Sequence, residues 1–451
     1  MSTETEFDNP SSAELRVAGD VSLEKVQITS LANNTFFDIK NQVITLQIFE
    51  DLFSPFITGT LIVKDSLDLI NSLPFTGQEY LDLRVYTPTF DKSLKSDGVI
   101  DQRFYIYKLT EREYFGEKAV GYQIHFITAD AVTDLNVAPS KAFSGKVSEI
   151  VAKIVKDTAY LNSDKQLILE ETKNSIKFIS NFWPPTKSIK YATEHAQNPN
   201  NSSTYLFFEN RKGYNFVSLD YLNDQPVYQT FKSGTTHDDI NKLGGSTRVL
   251  ERDFSKILEL SVPTGFDYID RVRHGTYASK LVTHDFTTKR YGTVFYDYLK
   301  KFGEGKETRL NQFPITTDEV AARVGSITFT IEKENQVFTG FGEIGVAKVL
   351  QDRISRMKQA ESFKLSLRVK GRSDYTVGQK VYLDVNIPAP TATADTPNDY
   401  KDKMYSGNYL ISAINHVIDR EQHECFIEVI KDSLIFDLKT GKTAAWNYIQ
   451  V

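Results

Sequence analysis

One pattern constrains this chain more than any other: an ordered set of strand-like segments and turns occurs twice. Early on, Gly77-Gln78 leads into Tyr80-Leu81-Asp82-Leu83 and then Pro88. Late in the chain, Gly378-Gln379 leads into Tyr382-Leu383-Asp384-Val385 and then Pro388. Upstream, Thr60-Leu61-Ile62-Val63-Lys64 parallels Leu365-Ser366-Leu367-Arg368-Val369-Lys370. Downstream, Phe104-Tyr105-Ile106-Tyr107-Lys108-Leu109 parallels Asn408-Tyr409-Leu410-Ile411-Ser412-Ala413, with Tyr105 set against Tyr409 and Tyr122 against Cys425. Any two antiparallel barrels share a strand-turn rhythm, but four correspondences in one order point to duplication. Closed oligomers have point symmetry. Three copies of such a chain would therefore set six similar units around one axis.

The 451 residues suggest about three domains at roughly 150 residues each. Phe (30) and Tyr (23) are abundant beside Met (3) and Trp (2), a balance that suits pleated, half-buried surfaces. The expected fold is α+β and mostly β, with two similar antiparallel β-barrel, tube-like domains flanking a middle α+β domain. Residues 1–20 read as a mobile acidic arm. The first barrel is placed at 21–135, with strands over 43–49, 60–65, 80–85, 104–109 and 122–127. The middle domain is placed at 136–345. It opens with a helix capped by Ser144, whose stripe is Val147, Ile150, Val151, Ile154 and Val155. A second helix starts near Pro185 and carries Ile189, Ala192 and Ala196. A hairpin follows over 205–219, turning through a longer loop at Arg211-Lys212-Gly213. Residues 225–340 read as an elaboration containing a strand at 257–262. After a helix over 344–357, the second barrel is placed at 346–436, with strands over 365–369, 381–385, 409–414 and 425–430. A Pro/Ala/Thr loop at 388–397 interrupts it, and a tail at 437–451 follows.

The chemistry is narrowed by what is missing. Lys and Arg number 53 against 59 Asp and Glu, a net charge of −6, whereas a protein that grips nucleic acid by its phosphates is usually basic. The single cysteine, Cys425, allows no internal disulfide and reads as a small apolar strand residue. No apolar run is long enough for a membrane helix, and the acidic start predicts no signal peptide. The seven histidines form neither HExxH nor a tight Cys/His cluster in the sequence. His237-Asp238-Asp239 reads as a solvated loop, His195 as a helix-surface residue, and His416 and His423 as solvent-facing residues beside a turn. Gly303-Glu304-Gly305-Lys306-Glu307-Thr308 lacks the first glycine of a phosphate loop and has Glu307 where Ser or Thr is needed. No G-x-S-x-G elbow occurs, and no carboxylate pair is singled out. No enzyme activity, cofactor or metal is therefore expected.

The run Tyr375-Thr376-Val377-Gly378-Gln379-Lys380-Val381-Tyr382-Leu383 is followed by Met404-Tyr405-Ser406-Gly407-Asn408-Tyr409-Leu410-Ile411 and a last strand ending Lys431-Asp432-Ser433-Leu434. These segments resemble the second barrel of contractile-tail baseplate hub proteins, the central hubs of T4-like phages, related to hubs of pyocin-like particles and the type VI secretion spike. Ile48-Phe49-Glu50-Asp51-Leu52-Phe53-Ser54-Pro55-Phe56-Ile57-Thr58-Gly59 resembles their first barrel, and Tyr205-Leu206-Phe207-Phe208-Glu209-Asn210 with Gly213 and Tyr214 their middle domain. The likeness covers about two thirds of the chain by eye, and residues 225–340 depart from it. It implies a homotrimer whose six barrels form a pseudo-six-fold ring. That ring would join a hexameric tail tube or tube-initiator protein above to a trimeric spike below, beside other baseplate proteins. DNA would pass through the lumen without specific binding, in a virion assembled in the host cytoplasm. The alternative is a carbohydrate- or receptor-binding tail protein, possibly a glycosidase, since aromatic side chains both stack on sugars and anchor interfaces. Trp446, Tyr448 and Ile449 in the tail are the candidate partner-binding residues, because an exposed apolar end is costly to solubility.

Overall fold

A computed structural model describes residues 17–30, 36–66, 75–88, 98–115, 119–233, 252–264, 266–285, 289–317, 324–331, 346–387, 401–420 and 422–440. The arm at 1–16, His237-Asp238-Asp239, the 388–397 loop, and Trp446, Tyr448 and Ile449 lie outside the described residues.

The chain is mostly β, as its alternating segments predict. The first strand set is β1 (Ser22–Ser30), β2 (Phe36–Asp38), β3 (Val43–Asp51), β4 (Thr58–Asp65), β5 (Glu79–Tyr86), β6 (Val99–Phe115) and β7 (Ala119–Thr128). A middle unit holds β8 (Lys141–Lys146), β9 (Leu167–Leu169), β10 (Ser175–Ser180), β11 (Tyr205–Asn210) and β12 (Gly213–Ser218) with the helices Val147–Lys156 and Pro185–Glu194. Next come β13 (Gln229–Lys232), β14 (Ile257–Thr264), β15 (Ala278–Asp285), β16 (Arg290–Asp297) and β17 (Ser326–Ile331). The helix Val346–Ala360 precedes the second set: β18 (Phe363–Lys370), β19 (Lys380–Asp384), β20 (Gly407–Asp419) and β21 (His423–Lys431).

The duplication is visible strand by strand. The first set runs β3-β4-β7-β6-β5-β1. The second runs β14-β18-β21-β20-β19-β13. Chain order and neighbours correspond throughout, and only the outermost member differs: β1 is antiparallel to β5, while β13 is parallel to β19. Two irregularities recur at matched places. Register shifts between Val43 and Thr45 against β4, and between Ile257 and Glu259 against β18. It shifts again between Ile106 and Lys108 against β7, and between Ile411 and Ala413 against β21. A bulge rotates every later side chain relative to its ladder, so matched bulges mean matched inner and outer faces.

The structure adjusts the register read from the sequence. Both openings of β5 and β19 are capped alike: the Thr76 N–H donates to Glu79 Oε1 at 2.9 Å, and the Thr376 N–H to Gln379 Oε1 at 3.1 Å. Thr76 therefore matches Thr376, and the two glycines stand one position apart within equivalent turns. Gly77 and Gly378 share φ = +83°, which glycine adopts without Cβ strain. Phe104, not Tyr105, matches Tyr409, since Phe104 and Tyr409 are both fully buried three residues before the extra residue of the shared bulge. The pairing of Tyr122 with Cys425 stands. The second set also draws β13 and β14 from upstream of residue 346, out of the stretch with no matched relative in the sequence.

Local expectations fare similarly. The stripe Val147, Ile150, Val151, Ile154 and Val155 is buried in one cluster with Ile189, Ala192, Tyr205 and Phe216. Ser144 is not its cap: it sits in β8 opposite Lys177, and the Ser148 N–H is taken by Thr172 Oγ1 at 3.0 Å. The hairpin turns through two residues only, Arg211 and Lys212, because Asn210 pairs with Gly213. A Cβ on Gly213 would lie 2.3 Å from the Gln166 carbonyl oxygen, so this turn is confined to glycine.

Candidate interaction surface and the strand junction

The two strand sets are not independent. β20 is shared between them. Its first residues pair with β19, from Lys380–Leu410 to Leu383–Gly407. After the bulge at Ser412 its remaining residues pair with β3, from Ala413–Asp51 to Asp419–Thr45. One continuous sheet therefore crosses from the second set to the first. Alternation explains why this half of β20 belongs there. Ile418 is fully buried within the first set's core, beside Leu46 and Val63, while Ile414 lies in the second set's core.

The joint is reinforced by buried carboxylates. Glu50, at the end of β3, accepts hydrogen bonds from the Val377 N–H (3.1 Å), the Arg211 N–H (3.2 Å) and the Thr376 hydroxyl. It thus ties the first set, the β11–β12 turn and the loop before β19. Burial pushes its carboxyl up to about 7, against the lowering effect of the hydroxyl and amide donors. Glu209 on β11 accepts from Thr128 Oγ1 (2.6 Å) and the Ile57 N–H (3.1 Å), and pairs with Lys165. Burial raises its pKa as well, against the Lys165 ammonium.

The helix Val346–Ala360 binds the remaining pieces. Arg356 is fully buried between Asp220 (3.0 Å) and Glu307 (3.1 Å). Glu307, the residue that spoils the phosphate-loop motif, is thus part of a buried ion-pair network. Arg353 donates to the carbonyls of Ser203 (3.1 Å) and Tyr205 (2.8 Å) in the middle unit. Gln351 donates to the Ser279 carbonyl (3.1 Å) of the β16-β15-β17 sheet.

The repeat has a further asymmetry. β20 has β3 along its outer half, but β6, its counterpart, has no strand beyond Tyr105 on the corresponding side among the described residues. Likewise β14, the counterpart of β3, pairs only with β18 among the described strands. The side chains on these edges are conspicuously open. Through the ladder to β7, Tyr114 occupies the position of Ile418. Ile418 is 0% exposed and Tyr114 71%. Tyr107, at the matched bulge, is also exposed, as is Val262 on β14. A second open apolar row lies on β17, where Ile327, Phe329 and Ile331 are exposed, with the exposed Phe295 of β16 in register across Lys280 of the intervening β15. Sequence reasoning missed both surfaces, although the alternation in Ser326-Ile327-Thr328-Phe329-Thr330-Ile331 was available as a signal.

Of the histidines, His195 is half-buried and holds the Tyr191 carbonyl at 2.8 Å from Nδ1. His416 and His423 do not face solvent as expected. Both are fully buried, because each falls in phase with the inward residues of its strand: His416 with Ile414 and Ile418, His423 with Cys425 and Ile427.

Comparison with known proteins follows this architecture. The chain is similar to a phage baseplate hub protein along most of its length. That relative is the probable baseplate hub protein gp334 of Vibrio phage KVP40, 20% identical over 420 residues, which cover 88% of this chain and 91% of that protein. Among solved structures, a tail protein from Neisseria meningitidis MC58 matches with a TM-score of 0.53 at 10% identity, covering 90% of this chain and 96% of that one. The 43 kDa tail protein of prophage MuSo2 from Shewanella oneidensis aligns over 91% and 98% of the respective chains at 10% identity and a TM-score of 0.49. No protein-family model matches. No helix among the described residues is long and apolar enough to cross a membrane.

Proposed function

We propose that this protein is the structural hub of a phage tail baseplate, a homotrimer whose six barrel-like strand sets form a pseudo-six-fold ring. The hub-like relative supports the role. The observation that carries the ring is the β20–β3 junction. One chain already joins set two to set one edge to edge, and among the described residues no strand pairs with the two edges that would repeat that joint. In the ring, β6 of one copy pairs with β14 of the next as β20 pairs with β3 within the chain. Tyr114 then faces Leu260 of a neighbouring copy, as Ile418 faces Leu46. Alternating internal and intermolecular joints close three chains into six units, which suits a six-fold tube above and a three-fold spike below.

The chain would act by shape and adhesion rather than catalysis. Other baseplate proteins would meet its outer surfaces, and the tail residues Trp446, Tyr448 and Ile449 would dock on a neighbour. The net charge of −6 supports a conduit through which DNA slides without being held. Assembly in the host cytoplasm and residence in the virion follow from this role.

The test is the mass and shape of the purified chain, alone and as Tyr114→Asp. The wild type is expected at three times the 51.3 kDa chain mass, as rings in negative stain. Tyr114→Asp is expected to give monomers with an unchanged circular dichroism spectrum, since this side chain is open in the single chain. A compact wild-type monomer with affinity for sugars would instead favour the receptor-binding reading. A Tyr114→Asp protein that still forms rings would remove the β6–β14 joint.

A further inference from the structure

The second strand set carries three potential ligands that no part of the hub reading uses. His416 on β20 stands directly opposite Cys425 on β21, and His423 lies two residues from Cys425 on the same face. All three are fully buried. His416 Nδ1 lies 3.0 Å from His423 Nε2. Cys425 Sγ lies 3.3 Å from His416 Nδ1 and 3.5 Å from His423 Nε2. One atom from each side chain therefore converges on a common point. A tetrahedral zinc ion, about 2.0 Å from nitrogen and about 2.3 Å from sulfur, holds its nitrogens about 3.3 Å apart and nitrogen from sulfur about 3.5 Å apart. The observed separations of 3.0, 3.3 and 3.5 Å lie within about 0.3 Å of these, so a small outward movement of the rings would admit the ion.

Hydrogen bonding alone satisfies the triangle poorly. Each inward imidazole nitrogen offers either one N–H or one lone pair, and the thiol offers one weak proton. A neutral imidazole nitrogen cannot both donate and accept, so at most two of the three contacts can hold a hydrogen bond, as when one imidazole N–H donates to Sγ and the S–H donates to the other imidazole, and one contact is left without a proton. An ion at the centre removes this conflict, because all three lone pairs then point at it.

The surroundings hold the ligands in place. A Cβ on Gly371 would lie 2.4 Å from His423 Cγ and Cδ2, so the glycine lets the β18–β19 loop close over the ring. The Gly371 N–H donates to the His423 carbonyl at 2.8 Å, and the His423 N–H donates to the Gly19 carbonyl at 2.8 Å. The cluster thus sits where the β20–β21 hairpin, the loop after β18 and the segment entering β1 meet. It belongs to the second set alone: the positions matched to Cys425 and His423 are Tyr122 and Val120 in the first.

The geometry points to a structural metal site at His416, His423 and Cys425 for a borderline-soft divalent cation, zinc by ligand type, that cross-links β20 to β21 beneath the loop after β18. Burial keeps both imidazoles neutral at physiological pH, His416 down at about 4 and His423 well below its usual value, so their lone pairs are available. Burial holds the thiol protonated without metal. Binding therefore forms one Zn–S bond, breaks the S–H bond and releases one proton to solvent. A water carried in with the ion takes the fourth position.

The test uses the full chain, chelated and then reloaded with zinc or cobalt(II). The wild type is expected to hold one zinc per chain and to melt several degrees higher with zinc than without. With cobalt it should show thiolate-to-metal charge-transfer absorption. Because Cys425 is the only cysteine, such a band has one possible source. Cys425→Ala should lose the band and the zinc-dependent gain in melting temperature. A wild type that takes up no zinc, or binds cobalt without a thiolate band, overturns the proposal whether or not the variant folds. So does a Cys425→Ala protein that binds zinc as tightly as the wild type.

Discussion

Glu50 accepts hydrogen bonds from two segments that lie far from it in the sequence, the turn at Arg211 and the loop at Thr376-Val377, so its protonation should be felt at the joint between strand sets. Its carboxyl is raised to about 7 when folded, above its ordinary value of 4.5. Between those values the folded chain keeps a proton that the unfolded chain has lost, so this group's contribution falls as pH rises through the window and is level above it. In Glu50→Gln the amide cannot accept from the Arg211 N–H, and about 1–2 kcal/mol is lost where the wild type is protonated. The wild type's advantage should be greatest near pH 4.5 and shrink towards pH 7, read as the difference in urea midpoints across that range. A constant difference would argue against a protonated Glu50. Arg356→Met leaves Asp220 and Glu307 buried without their guanidinium, and should cost about 3–5 kcal/mol by urea denaturation. Such residue-scale facts were the least legible in the sequence. Glu50, Glu209 and Arg356 look like surface charges until tertiary packing buries them. His416 and His423 are a different case: their two-residue phase with Ile414, Ile418, Cys425 and Ile427 marked them as inward, but the nearby turn suggested solvent.

At the scale of elements, Ser412 shows how one residue assigns a strand to two neighbours. It is the extra residue of the β20 bulge, and beyond it Ile414, His416 and Ile418 point inward. Deleting Ser412 leaves Ile411–Val429 and Ala413–Glu428 as consecutive pairs, so Ile414, His416 and Ile418 keep their inward face and only the local bend and added twist of the bulge are lost. The expected outcome is a chain that folds with lower stability, checked by circular dichroism and urea denaturation. Most strands could be read from alternation alone, since their inward residues are apolar and their turns carry glycine or proline. Two kinds of error had physical causes. Ser144 looked like a helix cap, but Phe143 packs against Phe178 across the β8–β10 ladder and draws the segment into a strand. Tyr105 was set against Tyr409 because the aromatic type matched, whereas the bulge makes Phe104 the residue on the same face.

For the whole molecule, the duplication was legible and its full extent was not. The second set borrows β13 and β14 from a stretch whose sequence resembles nothing in the first, because edge strands are specified by pairing partners far away rather than by local pattern. The proposed ring makes a further prediction at this scale. Its joints between copies would bury the Tyr114 and Leu260 side chains, so Leu260→Asp should block assembly as Tyr114→Asp does. Mixing the two variants should give heterodimers through one intact Tyr114–Leu260 joint but no closed rings, since at least two joints of any mixed three-membered ring carry an acid. Sedimentation velocity of the variants and their mixture checks this.

Thr45 and Asp419 are hydrogen-bonded neighbours separated by 374 positions of chain. At about 5–20 residues per second, a ribosome takes on the order of 20–75 s to supply the strand that covers β3. Throughout that delay the nascent chain offers an uncapped ladder to any sister polypeptide on the same message. Successful biogenesis must therefore depend on shielding that early segment, by a chaperone or by sparse initiation, until the last hundred residues emerge.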